Sequence, residues 1–276
     1  MLIRRLTTLD DCRKVAALER VVWGYPDAED VVPPPVLVVS IKRGGILLGA
    51  FDGSGEMKGF VFSLPGVKDG RLMQWSHMLG VAPDAREGGI GLRLKLAQRE
   101  EALRAGVDVI EWTFDPLQAQ NAHLNFARLG VIVEEYEENI YGDSSSPLHK
   151  GAPTDRFVAE WRLTSPHVER RLAAPPTSFL RDSAVMMAVL VNPSVESDAR
   201  LRPGTPILDS LAERLLVEIP TGFNEMLAGE PDLAVEWRIT TRSIFNTYFA
   251  RGYRVVDFFL SRETGRGQYL LAPRPK

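Results

Sequence analysis

The sequence has one cysteine, four histidines and no long hydrophobic run, and each shortage excludes a class of protein. Cys12 alone cannot form an intrachain disulfide, so a reducing, intracellular compartment is expected. The histidines stand apart from one another and from Cys12, without the spacing of a metal site. The apolar run 184–191 is far too short to cross a bilayer. The polar residues that follow the first strand exclude a signal peptide. We therefore expect a cytoplasmic protein with no membrane segment and no metal.

The chain also lacks an excess of positive charge. Its 33 Lys and Arg residues face 36 Asp and Glu residues, a net charge of −3, whereas a general nucleic-acid binder needs a basic face. The 276 residues, 45% hydrophobic and 25% charged, are typical of a soluble globular protein with one large or two modest domains. There is no Gly-x-Ser-x-Gly motif, which excludes the usual serine-hydrolase elbow.

One stretch, residues 71–106, carries the clearest pattern. An apolar run up to Val81 predicts a strand, a glycine-rich turn follows, and leucines at helical spacing predict a helix from about Gly91 to Gly106. The first turn of a helix has unpaired N–H groups and favours negative charge. Glycines before it let a phosphate approach the backbone closely. This stretch therefore predicts an anion-binding turn.

Three phosphate-binding patterns compete for this turn. A P-loop needs Gly-Lys-Ser/Thr at its end, where this chain has Gly91-Leu92-Arg93. A dinucleotide fingerprint needs a small residue where Leu94 stands. The third pattern, Arg/Gln-x-x-Gly-x-Gly/Ala, fits Arg86, Gly89 and Gly91. In this respect the sequence resembles the GNAT superfamily of acyl-CoA-dependent N-acyltransferases. An ordinary glycine-rich turn without a ligand is the alternative.

The resemblance implies a donor substrate and the backbone that holds it. The donor would be acetyl-CoA or another acyl-CoA, such as succinyl-CoA. Its pyrophosphate would lie on the turn formed by Arg86, Glu87, Gly88, Gly89, Ile90 and Gly91. The backbone of Leu79, Gly80 and Val81, at the end of the preceding strand, would face the acyl carbonyl oxygen. No metal is implied.

The predicted elements also follow the GNAT order. A βααβββ series precedes the central helix, and a strand at 107–114, a helix at 119–129 and a strand from Val131 follow it. The fold class is thus α/β, with a mixed, mostly antiparallel twisted sheet and flanking helices. We expect a GNAT acyltransferase domain at 1–165. A smaller α/β domain at 177–276, resembling a degenerate half of that fold without a CoA site, would pack on it. Convergence of an ordinary helix-Gly-strand unit is the alternative explanation of this likeness. In this smaller domain, Thr205-Pro206 predicts the start of a helix.

The second helix departs from the GNAT pattern at the residue that matters most for chemistry. Counted back from Gly130, Phe126 stands where the family has the Tyr that protonates the departing thiolate. Asn121 lies two residues after the expected Asn, and the resemblance implies that both line the CoA site. Tyr141, in a following loop, is a candidate replacement acid. His77 is the candidate base because an imidazole titrates near neutrality.

Two carboxylates, Glu111 and Asp115, compete with His77 for the role of base, and packing on the sheet is the alternative role of His77. The function that the resemblance implies is acyl transfer to a primary amine of a small molecule, with amino acids among the acceptors. Neither nucleic acid nor a membrane is an expected partner, and a homodimer is compatible with this interpretation. The alternative is a non-catalytic acyl-CoA-binding or assembly protein that keeps the turn and has lost the acid.

Overall fold

The computed structural model describes residues 1–25, 31–142, 153–173, 187–197 and 200–275. They form two compact units. The first consists of Met1–Trp112 with Arg162–Thr164, and the second of the other described residues from Thr113 onward. One of the four histidines, His149, lies outside the described residues. In the part of the chain that is described, no helix is both long and apolar enough to cross a membrane.

The first unit is an α/β layer built on five strands in the order β1-β2-β3-β4-β5. Neighbouring strands are antiparallel except β4 and β5, which are parallel. This is the βααβββ order that the sequence predicts. Its elements are β1 (Leu2–Arg5), α1 (Leu9–Trp23), α2 (Pro34–Lys42), β2 (Ile46–Phe51), β3 (Met57–Lys68), β4 (Arg71–Val81), a 3₁₀ helix (Pro83–Gly88), α3 (Ile90–Arg104) and β5 (Val109–Phe114), whose last two residues belong to the second unit.

Helix α1 is fixed at both ends by its own sequence. The Thr8 side chain accepts from the Asp11 N–H at 3.1 Å, and the Asp11 carboxylate accepts from the Thr8 N–H, so the two form a capping box. Gly24 ends the helix in the left-handed region, with φ of 66°. Between these ends Cys12 and Val15 are completely buried and join the core that contains Phe60 and Phe62 of β3.

The second unit combines residues that the sequence places on both sides of the predicted domain boundary. Its main strands lie in the order β7-β6-β12-β13-β11-β8, with β8 parallel to β11. Its elements are α4 (Ala119–Ala122), a π-helical segment (His123–Leu129), β6 (Ile132–Glu137), β7 (Arg156–Arg162, the last residue in the first unit), α5 (Pro166–Ala173), β8 (Val189–Leu190), the pair β9 (Val195–Ser197) and β10 (Arg200–Arg202), β11 (Leu215–Pro220), α6 (Phe223–Gly229), α7 (Pro231–Ala250), β12 (Tyr253–Ser261) and β13 (Arg266–Pro273).

An aromatic cluster fills the centre of the second unit. The Phe157 ring of β7 lies 4.6 Å from Phe245, 5.4 Å from Tyr269 and 5.7 Å from Phe114, measured between centroids. Aromatic pairs at such distances and steep angles add to the stabilisation gained from burial alone. Phe245 and Tyr269 come from the C-terminal region, so this region packs on β5 and β7 within the second unit. That it packs on a separate acyltransferase domain stays a prediction.

Two predictions from the sequence, a helix and a domain boundary, concern the C-terminal region. The helix expected at Thr205-Pro206 is wrong, because residues 203–212 have no regular structure. Instead, the carbonyls of Ile207 and Ala212 accept hydrogen bonds from Tyr248 and Tyr253 at 2.8 Å each. This segment is therefore held by side chains of α7 and β12, together with one backbone hydrogen bond from the Ile207 N–H to the Val191 carbonyl at 2.7 Å. The boundary expected between 165 and 177 stays a prediction, since residues 174–186 lie outside the described part.

Candidate functional site

The turn between β4 and α3 has the local structure of an anion site. The 3₁₀ helix ends with Glu87 and Gly88, Gly89 follows in the left-handed region with φ of 66°, and α3 begins at Ile90. No side chain caps the helix, and its first turn has no acidic residue. Gly91 is the second residue of α3, so its N–H is among the donors that a helix leaves unpaired. The Arg86 side chain and Gly89 are exposed. The turn thus presents backbone donors and a cation to solvent.

Strand β4 leads into this turn with one edge turned away from β3. The Ala82 N–H donates to the Lys58 carbonyl at 2.9 Å. Since alternate residues of an antiparallel strand point to the same neighbour, Gly80 also faces β3, while Leu79 and Val81 direct their N–H groups to the opposite edge. The described pairing on that edge joins Gln74 to Ile110 and Trp75 to Glu111. Strand β4 continues for six residues beyond Trp75, so the backbone of Leu79 and Val81 lies past this pairing.

Gly80 has a packing role that the sequence does not reveal. A Cβ at this position would lie 2.7 Å from the Phe60 ring and 3.3 Å from the Trp23 ring. The glycine therefore lets α1 and β3 approach the end of β4. Of the three residues expected to face the acyl group, Leu79 and Val81 have the suitable backbone direction, and Gly80 supports them.

No family model and no curated protein matches the chain. Among solved structures, it is similar to YncA from Salmonella typhimurium, solved with acetyl-CoA, at 19% identity and a TM-score of 0.49, covering 60% of this chain and 95% of that one. It is also similar to a GNAT acetyltransferase from Streptococcus pneumoniae, at 18% identity and a TM-score of 0.47, covering 58% of this chain and 97% of that one. A third similar structure is aminoglycoside 6'-acetyltransferase type Ii, at 19% identity and a TM-score of 0.46, covering 60% of this chain and 99% of that one.

The first unit has the features that the sequence resemblance implies, namely the βααβββ element order, the parallel pairing of β4 with β5 and the glycine turn that opens α3. At such low identities and TM-scores, the similarities carry no argument about substrate or reaction.

His77 occupies a special position in strand β4. Phe62 pairs with Met78 and Ser63 with Ser76, so His77 is the extra residue of a β-bulge in β4. Bulges re-aim side chains and are common next to active sites. The His77 side chain is exposed, with its ring edge-on to Phe62 at 6.3 Å. Partial desolvation by the surrounding protein lowers the pKa of its imidazole. A neutral imidazole is the form that accepts a proton.

The two rival carboxylates are each engaged with a cation. Glu111 is buried and forms an ion pair with Lys68. Asp115 accepts from both terminal nitrogens of Arg238, at 2.6 and 2.7 Å. Burial alone would raise the pKa of Asp115, but the charge and hydrogen bonds of Arg238 bring it below the usual value. Such tightly paired carboxylates are poor bases, which leaves His77 as the better candidate.

Phe126 and Asn121 have opposite environments in the second unit. The Phe126 ring is completely buried, 6.2 Å from Phe114 and 5.7 Å from Tyr269. Asn121 is exposed on α4. In this structure Phe126 is part of the aromatic cluster, so a replacement acid has to come from elsewhere. That either residue lines the CoA site stays a prediction.

Tyr141 is held at both its backbone and its hydroxyl. Its N–H donates to the Thr154 hydroxyl at 3.0 Å, and its own hydroxyl lies 3.1 Å from the Thr113 hydroxyl on β5. The Arg156 guanidinium lies over its ring at 5.4 Å. The side chain is 51% exposed. A fixed yet accessible phenol at the end of β5 has what a proton donor needs.

Sequence reasoning missed the buried polar groups around these residues. In the first unit, the Lys95 ammonium donates to Ser76 at 3.1 Å and Gln98 at 2.9 Å, and lies 3.5 Å from the Trp112 ring centroid. Burial lowers its pKa. In the second unit, Arg238 and Arg242 of α7 pair with carboxylates. Their spacing of four residues was a signal, because it places both on one face of the helix.

Proposed function

We propose that this protein is an acyl-CoA-dependent N-acyltransferase. It would transfer an acyl group, acetyl or succinyl, to a primary amine of a small molecule, with amino acids among the acceptors. The observation that carries the proposal concerns the end of β4. Beyond its described pairing with β5, this strand leads through the glycine turn into the start of α3, which no side chain caps. Thioester and pyrophosphate are far apart in CoA, and this stretch offers backbone donors for both.

The residues of the turn fit the pyrophosphate of the donor. A Cβ at Gly89 would meet no atom within 4 Å, so the space before α3 is open. The N–H groups of the first turn, the helix dipole and the exposed Arg86 all favour a negatively charged group there. Arg86 keeps its guanidinium at the turn, with Nε 3.5 Å from the Val81 carbonyl oxygen.

The first unit would assist the transfer in two ways. The donor supplies a thioester, whose carbonyl carbon bonds to the amine nitrogen while the carbon–sulfur bond breaks. The N–H groups of Leu79 and Val81 would stabilise the negative charge that develops on the carbonyl oxygen. His77, in the first unit, would accept a proton from the amine. As a separate proposal for the second unit, Tyr141 would give a proton to the thiolate.

The experiment that tests the proposal combines binding with turnover. CoA binding is measured by calorimetry, and thiol release is followed with acetyl-CoA and succinyl-CoA against a panel of amino acids and simple amines. Binding together with amine-dependent thiol release is the expected result. Binding without release for any amine would indicate the alternative, a non-catalytic acyl-CoA-binding protein. Absence of binding would overturn both.

A further inference from the structure

Helix α7 carries a stripe of three polar residues that face three different connections of the second unit. Arg238, Arg242 and Asn246 are spaced four residues apart, which places them on one face of the helix. From the start of the stripe to its end, their partners are Asp115 after β5, Asp155 before β7 and Glu138 after β6.

Asp155 is the centre of this arrangement. Its side chain has no exposed surface, and its two oxygens accept from four donors. Arg242 donates through Nε at 2.8 Å and a terminal nitrogen at 2.7 Å. The Tyr136 hydroxyl donates at 2.6 Å and the Asn139 N–H at 3.1 Å. A buried carboxylate requires this degree of compensation, and a bidentate arginine supplies both charge and direction.

The hydrogen bonds continue from Asp155 to Tyr141. Thr154, which adjoins Asp155, donates to the Asn139 side-chain oxygen from its N–H at 3.0 Å and from its hydroxyl at 3.1 Å. The same hydroxyl accepts from the Tyr141 N–H at 3.0 Å. The residues 138–142 are thereby fastened to Thr154 and Asp155, and the Tyr141 hydroxyl is set beside Thr113.

We propose that Arg242 is a positioning residue for Tyr141, acting through Asp155, Asn139 and Thr154. The inference rests on the proposed function, in which Tyr141 protonates the leaving thiolate. Without Arg242, the buried carboxylate loses its bidentate partner, and the turn that it organises loses its fixed geometry. Misplacing a reacting group by about 1 Å is enough to cost on the order of 100-fold in rate. The C-terminal region thus contributes to turnover without touching the substrate.

The first test measures position rather than activity. Hydrogen exchange of the Asn139 and Tyr141 amides is compared among the wild type, Arg242→Gln and Arg251→Gln. Arg251 is the matched control, because it lies at the end of the same helix and makes two hydrogen bonds of 2.7 Å, to the carbonyls of Leu208 and Ser210. Exchange at least roughly tenfold faster in Arg242→Gln than in the control is expected. Equal exchange in both variants would overturn the proposal.

A folding defect is separated from a positioning defect by two further variants. Arg242→Lys keeps the charge and loses the bidentate geometry. The pair Arg242→Gln with Asp155→Asn removes both charges, so no buried carboxylate is left unpaired. If Arg242→Gln does not fold, these two variants take its place, and both are expected to show the faster exchange. Wild-type exchange in both folded variants would contradict the proposal.

The second test is a double-mutant cycle with Tyr141→Phe. We expect Arg242→Gln to lower kcat by roughly tenfold or more, with the KM for acyl-CoA unchanged, and to cause no further loss when Tyr141 is already Phe. An equal loss in both backgrounds would show that Arg242 does not act through Tyr141. If the protein transfers no acyl group at all, the proposed function fails, while the exchange measurements still decide whether Arg242 positions the turn.

Discussion

The two turns that carry the candidate chemistry are built in opposite ways. Residues 86–91 in the first unit present backbone groups, and no side chain caps the helix that follows. Residues 138–142 in the second unit are held by side chains, with bonds from Asn139 and Tyr141 to Thr154 and Asp155. The first turn is open to a ligand because its donors are unoccupied by side chains. The second turn is preorganised because its polar groups are already bonded.

Under the proposed function, the first turn would bind the donor and the second would hold the proton donor. A charged ligand can be held by backbone donors, which need only the right φ and ψ angles. A proton donor must keep one atom in place, and that demands a supported side chain. The two turns should therefore respond differently to substitution. Two measurements test that expectation, and two more compare the units that contain the turns.

Tyr141→Phe is expected to have the largest effect. Removal of a positioned general acid lowers turnover by about 100-fold or more, while acyl-CoA binding stays intact because the phenol does not hold the donor. Steady-state kinetics and calorimetry on the same preparations measure both quantities. Full activity in this variant would mean that solvent protonates the thiolate and that the second turn has no chemical role.

Gly91→Val should show the reverse pattern. The branched side chain crowds the first turn of α3, so one or two hydrogen bonds to a charged phosphate are lost, roughly 10- to 100-fold in CoA affinity. Folding should be retained, because valine is a better helix residue than glycine. Gly53→Val is the control, since a Cβ there meets nothing within 4 Å. Equal CoA affinity in the two variants would argue against the first turn as the pyrophosphate site.

Glu19 of the first unit predicts how the stability of the protein depends on pH. Its side chain is buried, one oxygen accepts from the Val32 N–H at 3.2 Å, and the other has no partner among the residues that the structure describes. Burial raises the pKa of Glu19 from 4.5 to about 7. The pKa of Glu19 is higher in the folded state than in the unfolded state. Its contribution to the free energy of unfolding is therefore fully present below about pH 4.5 and is lost as the pH rises through 7.

The matching variant is Glu19→Gln, which should remove this pH dependence. At pH 8 it should be more stable than the wild type by at most about 3 kcal/mol. Urea denaturation between pH 5 and 8 measures the difference. Asp115 in the second unit has a lowered pKa and predicts the opposite slope, with stability lost in acid. A pH-independent difference between Glu19→Gln and the wild type would show that the carboxyl is not buried as described.

Phe126→Tyr is expected to have the smallest effect on turnover and a modest effect on folding. The ring is enclosed by Phe114 and Tyr269, so the added hydroxyl has to be buried, at a cost of about 1–3 kcal/mol if it finds no partner. Thermal denaturation gives the cost. A gain in turnover would mean that the usual acid position is still functional in this chain, and would weaken the case for Tyr141.

The sequence was sufficient for features that depend on local pattern. The glycine turn, the element order and the strand β4 follow from periodicity, helix signals and backbone freedom, and the structure has them within a few residues. The side-chain network was not predictable, because Asp155 meets Arg242 across 87 positions and no local pattern joins them. The helix expected at Thr205 failed for the same reason. Capping residues favour a helix there, but bonds from Tyr248 and Tyr253 outweigh that preference.

The interleaved order of the second unit has a consequence for how the chain is made. Strand β6 pairs with β12, and Phe157 packs on Phe245 and Tyr269, which lie 88 and 112 positions later in the chain. During synthesis, the rings of Phe126 and Phe157 therefore lack their C-terminal partners until the intervening chain has emerged. Residues of the first unit meet nearly all their neighbours much sooner, since N-terminal parts fold first. A nascent chain halted before Tyr253 would expose an aromatic surface that chaperones recognise, and its release would be the step at which this protein is most prone to aggregate.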